Sequence, residues 1–315
     1  ISLCQKESVD FILAVGGGSV IDSAKAIGYG VANPWTDVWN FFLKTEIPNA
    51  CLPIGAIPTI AASGSEMSGS CVITNEDGWL KRGSTRSDLC RPKFTLMNPR
   101  LTYTLPEYQT ESGCVDILLH TMERYFSHDD DMTVTDAIAE SILRTVKDSV
   151  FEVLKEPENY VHRAQIMWAG SLAHNDLTGC GTTGDWATHQ LEHELSALFD
   201  VAHGAGLAAL WGSWARYVYK ENVTRFAQFA VNVMGVTNDF KSPGHTALAG
   251  IEAMEDFYRA IGMPVSICEL IGRQATDEEI KLMADKCSSG GSTTTGKLKV
   301  LHRDDMENIY HMANR

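Results

Sequence analysis

Residues 10–31, DFILAVGGGSVIDSAKAIGYGV, run from a short apolar stretch through three glycines into a segment with apolar residues at helical spacing. That order predicts a buried strand, a tight loop and then a helix. Outward from it, the apolar stretch Leu52–Ile60 ends in the small-residue segment AASGSEMSGS at 61–70, a second strand followed by a loop. CVITNEDGW at 71–79 is a third candidate strand, with turn chemistry from Asn75 to Gly78, and KFTLMNP at 93–99 is a fourth. Up to about Leu105 the chain reads as an α/β domain built on a parallel sheet.

After Pro106 the pattern changes. Val134, Ile138, Ile142, Val146 and Val150 recur at every fourth position, residues 161–176 and 246–262 also carry helical periodicity, and strand alternation disappears. The expected division is an α/β domain over residues 1–105 and an all-helical domain over 106–315. The polar stretch SSGGSTTTG at 288–296 precedes a last helix that Asp304 or Asp305 can cap.

Composition narrows the function classes. With 315 residues and 44% hydrophobic content, the chain is neither disordered nor a small disulfide scaffold. The 40 acidic against 26 basic residues, a net charge of −14, argue against a nucleic-acid surface and favour small-molecule partners. Cys4, Cys51, Cys71, Cys90, Cys114, Cys180, Cys268 and Cys287 form no CxxC pair and read as reduced thiols of a cytoplasmic protein. No apolar run reaches the roughly 18 residues of a membrane span, so no membrane partner is expected. The chain opens at Ile1 without Met and with a strand signal close behind, so the expectation is that an N-terminal part of the gene product is absent.

Gly16, Gly17, Gly18 and Ser19 stand where the strand gives way to the helix, the place where exposed backbone N–H groups and the helix dipole attract phosphate. Ser19 and Asp22 also fit the S-x-x-D spacing of a capping box. For Asp22 that structural role is preferred, because phosphates would repel a carboxylate. The loop is not GxGxxG, and no acidic residue closes a following strand about 20 positions on, so a standard dinucleotide fingerprint is poorly supported.

Asp116 and His120 are four apart in a helical segment and project from one face. His189, His193 and His203 place three of the ten histidines within fifteen residues. His193-Glu194 begins like HExxH, but Ala197 stands where the second histidine belongs, which removes the zincin protease reading. Asp116, His120, His189 and His203 together offer three imidazoles and a carboxylate, a set suited to Fe(II) or Zn(II). Spacing does not decide which histidines bind metal and which do acid–base work. The histidines at 128, 162, 174, 245, 302 and 311 stand singly and read as surface or satisfied core residues.

Four ordered motifs carry a resemblance: the GGGSxxDxAK loop at 16–25, Pro58-Thr59 through Ser63-Gly64-Ser65-Glu66, the D-x3-H pair, and the H-x3-H-x9-H-G cluster. In this set the chain resembles the iron-containing, or group III, alcohol dehydrogenases from about residue 10 to the C-terminus. HELSALFDVAHGAGLA and GSEMSGSCVITNE are most similar to the butanol dehydrogenase branch. The resemblance implies that Asp116, His120, His189 and His203 are the metal ligands and that His193 lies between substrate and nicotinamide. It implies that Gly17, Gly18 and Ser19 hold the pyrophosphate, with Thr59, Ser63 and Lys81 around the cofactor. Lys81 also reads as a surface cation of the LKRG stretch.

The implied fold is a nucleotide-binding α/β domain, truncated at its start, before a helical metal domain, with the active site in the cleft between them. The implied activity is metal-dependent hydride transfer between NADP(H) or NAD(H) and a primary alcohol or short aldehyde such as butanal, in a homodimer. The determinant of NADP over NAD belongs to the segment expected to be absent. His193, with a pKa near neutral, is expected to relay a proton. Two rivals stand beside this reading: a metal-dependent lyase or hydrolase on a dehydroquinate synthase-like scaffold, and an inactive truncated product.

Overall fold

The computed structural model describes residues 1–85, 87–129 and 131–315. In chain order the first elements are α1 (Ser2–Lys6), β1 (Ile12–Gly16), α2 (Gly18–Ala32), α3 (Trp39–Phe42), β2 (Ile54–Pro58), β3 (Ser70–Asn75), β4 (Leu80–Thr85), α4 (Ser87–Cys90) and β5 (Phe94–Thr95). They are followed by α5 (Glu107–Tyr125), α6 (Thr133–Lys155), α7 (Tyr160–His174), α8 (Ala187–Phe199) and α9 (His203–Val218). The chain closes with α10 (Val223–Asn232), α11 (Pro243–Ala260), α12 (Ile267–Ile271), α13 (Asp277–Cys287) and α14 (Arg303–Ala313).

The strand, glycine loop and helix expected over residues 10–31 are β1, its following turn and α2. β1, β2 and β5 form a parallel sheet in the order β1-β2-β5, with Ile12 opposite Ile54 and Gly16 opposite Pro58. On one face Ile21 and Ala24 of α2 pack with Ala14, Ile54 and Ala56. Alternation sends Leu13 and Val15 to the opposite side, where they remain exposed.

The third expected strand lies outside this sheet. β3 turns back into β4 as an antiparallel hairpin, with Thr74 opposite Lys81. Sequence reading misses β4 because LKRGST has no apolar alternation; its ladder rests on backbone pairing.

Two buried charges fasten α2 to this region. Lys25, fully buried, donates to the carbonyls of Ser65 (2.8 Å), Ser68 (2.9 Å) and Ser70 (2.7 Å) and to Ser65 Oγ (2.7 Å). The Asp22 carboxylate accepts from Ser65 Oγ and from the Val72 N–H at 2.8 Å. This corrects the capping role expected of Asp22: α2 starts after Gly17 with no side-chain cap.

From α5 onward the described residues form helices and turns, joined by one isolated bridge between Thr295 and Leu301. A single core runs through them, with Ile142, Val146 and Val150 buried as the periodicity requires, while Val134 is 73% exposed on the first turn of α6. The last helix starts after His302, and Asp305 closes its capping box by accepting from the His302 N–H at 2.8 Å. Neither aspartate is the cap itself. Among the described residues no helix is long and apolar enough to cross a membrane.

Candidate metal centre

Asp116, His120 and Glu123 occupy positions i, i+4 and i+7 of α5, so one face of a buried helix carries all three. On α8, His189 and His193 are one turn apart, with Glu192 on the same side as His189. α8 ends at Asp200, in the left-handed region at φ 52°, and the reversal there returns the chain so that His203 opens α9 beside the other histidines. Gly204 makes that return fit: a Cβ on it would lie 1.9 Å from the Ser112 carbonyl of α5.

Asp116 Oδ1 is the centre of the cluster. It lies 3.4 Å from His120 Nδ1, 3.7 Å from His189 Nε2 and 3.7 Å from His203 Nε2. Asp116 Oδ1, His120 Nδ1 and His189 Nε2 are all buried without a hydrogen-bond partner. Three orphaned polar atoms converging on one point would each carry a desolvation penalty, and a single divalent cation satisfies them together. The donor set of one carboxylate oxygen and three imidazole nitrogens fits Fe(II) or Zn(II).

The electrostatics follow from the crowding. Burial alone would raise the Asp116 carboxyl, but the imidazoles of His120, His189 and His203 hold it below the usual carboxylate range. Burial would lower His189, yet the nearby Asp116 carboxylate and the hydrogen-bonded Glu123 carboxylate raise it to about 9. His193 goes the other way: burial first, then Lys81 and the neighbouring histidines, push it well below its ordinary value. The expected near-neutral pKa of His193 is thereby corrected to that of a neutral imidazole.

Two carboxylates escaped sequence reading. Glu123 Oε1 sits 2.9 Å from His189 Nδ1 and also accepts from the His189 N–H at 2.9 Å. Glu192, fully buried, pairs through Oε2 with His203 Nδ1. Their helical offsets from Asp116 and His189 carried the signal, but Glu in a charged-looking helix reads as solvated. Glu192, His193 and His203 also lie close enough together to hold a cation. There His203 Nδ1 and Glu192 already satisfy one another and the Lys81 ammonium is 3.6 Å from the carboxylate, so the Asp116 cluster is the better site.

His174 also departs from expectation. Its ring packs edge-on against His120 with centroids 4.1 Å apart, and its Nδ1 is buried without a partner, so it is neither a surface nor a satisfied core histidine. Trp186, at φ 68°, stands against His189, His120 and His174 at 5.4–6.1 Å and carries Arg124 over its ring.

Four of the residues expected around a nucleotide, Gly17, Gly18, Ser19 and Thr59, lie at the carboxyl ends of adjacent parallel strands, the place where open α/β sheets take ligands. Gly17, Gly18 and Ser19 follow β1, Thr59 follows β2, and the Thr59 N–H donates to the Gly16 carbonyl at 3.0 Å. Gly18 has an internal reason to be glycine, since a Cβ there would lie 2.4 Å from Ser63 Oγ. Ser19 is exposed at the uncapped start of α2, where unpaired N–H groups and the helix dipole favour an anion. Lys81 is no plain surface cation: from β4 its Nζ reaches Ser196 Oγ at 3.0 Å and His203 Nδ1 at 3.4 Å.

Comparison with known proteins defines the class. The iron-containing alcohol dehydrogenase model matches residues 1–99, and that of the C-terminal part of the Fe-containing alcohol dehydrogenase family matches 110–314. The chain belongs to the iron-containing alcohol dehydrogenase family. Probable NADH-dependent butanol dehydrogenase 1 of Bacillus subtilis is 38% identical over 98% of this chain and 78% of its own length. The NADPH-dependent aldehyde reductase YqhD of Escherichia coli is 34% identical over 99% of this chain and 80% of its own. Among solved structures, NADH-dependent butanol dehydrogenase A from Thermotoga maritima superposes with a TM-score of 0.93 at 34% identity, over 100% of this chain and 79% of that one.

Proposed function

We propose that this protein, an NAD(P)-dependent alcohol dehydrogenase and aldehyde reductase of the iron-containing type, acts on primary alcohols and short aldehydes such as butanal. Asp116, His120, His189 and His203 hold the metal in this reading, and the observation that carries it is the convergence of the buried, partnerless atoms Asp116 Oδ1, His120 Nδ1 and His189 Nε2. When bound, a divalent metal supplies a Lewis acid for the substrate oxygen and a nicotinamide exchanges the hydride. Gly17, Gly18 and Ser19 present backbone N–H groups to the pyrophosphate, with Thr59, Ser63 and Lys81 bordering the same cleft. His193, a neutral imidazole whose ring centroid is 5.7 Å from that of His203, passes a proton by giving one from one ring nitrogen while taking one at the other. Trp186 and His174 wall off the side nearest His120 and restrict water there.

The same reading divides the chain near residues 105–106 into a nucleotide-binding and a helical metal-binding part. It also includes a homodimer, to be checked by sedimentation, no nucleic-acid or membrane partner, and a cytoplasmic setting that suits eight free cysteines. The deciding experiment is an anaerobic assay of iron-reconstituted protein with butanal and NADH or NADPH at 340 nm, beside His203→Ala. Metal-dependent cofactor oxidation that the variant loses is the expected result. A metal-loaded wild type without turnover on any short aldehyde would remove the substrate assignment.

A further inference from the structure

Each of two histidines in the Asp116 cluster has its far ring nitrogen against a buried carboxylate. His189 turns Nε2 toward Asp116 and Nδ1 toward Glu123, 2.9 Å away. His203 turns Nε2 toward Asp116 and Nδ1 toward Glu192. A carboxylate on Nδ1 selects the tautomer protonated there, which leaves the Nε2 lone pair free to ligate. The two carboxylates differ in one respect. Glu123 is held within the helical part by the His189 backbone and side chain, whereas Glu192 also faces Lys81 at 3.6 Å, and Lys81 comes from the β3–β4 hairpin. Lys81 is in turn fixed by Ser196 of α8 at 3.0 Å. Gly206 leaves the room Glu192 needs, since a Cβ there would meet its Oε1 at 2.7 Å.

We infer that Glu123 and Glu192 are positioning residues for the metal, and that Glu192 alone also sets Lys81 for the cofactor. This rests on the metal and cofactor assignments proposed above. Glu192 thus joins two ends of the site: its charge orients a metal-binding imidazole and anchors the cation bordering the nucleotide cleft. Removing that charge weakens both ends, while removing the Glu123 charge weakens the metal end only.

The test uses the full chain with Glu123→Gln and Glu192→Gln, isosteric changes that keep an acceptor and remove the charge. Co(II) affinity, measured by competition with a chromophoric chelator, is expected to fall about 10–100-fold in both variants. NADH and NADPH dissociation constants, read from nicotinamide fluorescence in the absence of metal, are expected to rise several-fold in Glu192→Gln and to stay within twofold of wild type in Glu123→Gln. Circular dichroism checks that each variant is folded, and should either glutamine variant unfold, Glu192→Asp and Glu123→Asp take its place: these keep the charge but draw the carboxylate back from its imidazole and, at 192, from Lys81, so the same split is expected in smaller size. Wild-type Co(II) affinity retained by both folded variants, or equal cofactor weakening in the two, overturns the inference. A wild type that binds no Co(II) would instead overturn the metal assignment on which it rests.

Discussion

His193 and His203 are neighbours with different expected losses, because only His203 points a ring nitrogen at Asp116 Oδ1. His193→Ala should lower turnover by about 10²–10⁴-fold, the usual worth of a positioned proton-transfer group, while metal content stays near one per chain. Elemental analysis of the purified variant checks this, and loss of metal would reassign His193 to the ligand set. A second prediction concerns Glu111, buried on α5, whose carboxyl is raised to about 7 by burial and by Glu107. A carboxyl with a raised folded pKa favours the protonated fold. Stability on its account is therefore greatest below the ordinary carboxylate range and declines as pH climbs through about 7. Glu111→Gln removes that penalty and should stabilise the protein by about 1–2 kcal/mol at pH 8 and by little at pH 5. Thermal midpoints at the two pH values test it, and an equal gain at both would show that charge burial is not the cause.

At the scale of elements, α9 meets α5 with no room for a side chain at Gly204. A methyl on Gly204 would overlap the Ser112 carbonyl, which is backbone and cannot turn aside. Gly204→Ala should therefore cost about 3 kcal/mol or more, lower the thermal midpoint by several degrees, and displace His203 so that metal is lost as well. An unchanged midpoint would mean that α9 shifts freely. The same elements show what the sequence made legible. β1, α2 and the helices α6, α7 and α11 follow from apolar periodicity, because burial on one face writes itself into spacing. Asp116, His120 and the later histidines stood out because imidazoles are scarce and helical offsets bring them together. β4 did not, since a hairpin strand paired only through its backbone leaves no apolar alternation. Glu123, Glu192 and His174 were hidden for another reason: each acquires its meaning from a partner on a different helix, and Asp22 likewise takes its partners 43 and 50 residues away. Long-range polar pairing has no period to read.

For residues 1–315 taken together, the apolar face that the parallel sheet exposes bears on solution behaviour. Leu13 is 49% exposed, Val15 55%, Phe94 46% and Leu96 56%, and Phe11 stacks on Phe94 at 5.9 Å to extend the patch. Contiguous apolar surface of this kind favours association, while the net charge of −14 opposes it through repulsion between copies. The repulsion is screened within about 10 Å at 0.1 M salt and within about 3 Å at 1 M, whereas the apolar attraction is not weakened by salt. Raising the salt should therefore increase both self-association and binding of a hydrophobic dye. The double substitution Leu13→Lys with Leu96→Lys should abolish the increase with little effect on metal binding, because Ala14, Ile54 and Ala56 pack α2 on the other face. Sedimentation velocity at low and high salt provides the check. Association that falls as salt rises, or that survives the double substitution, would move the sticky surface elsewhere on the molecule.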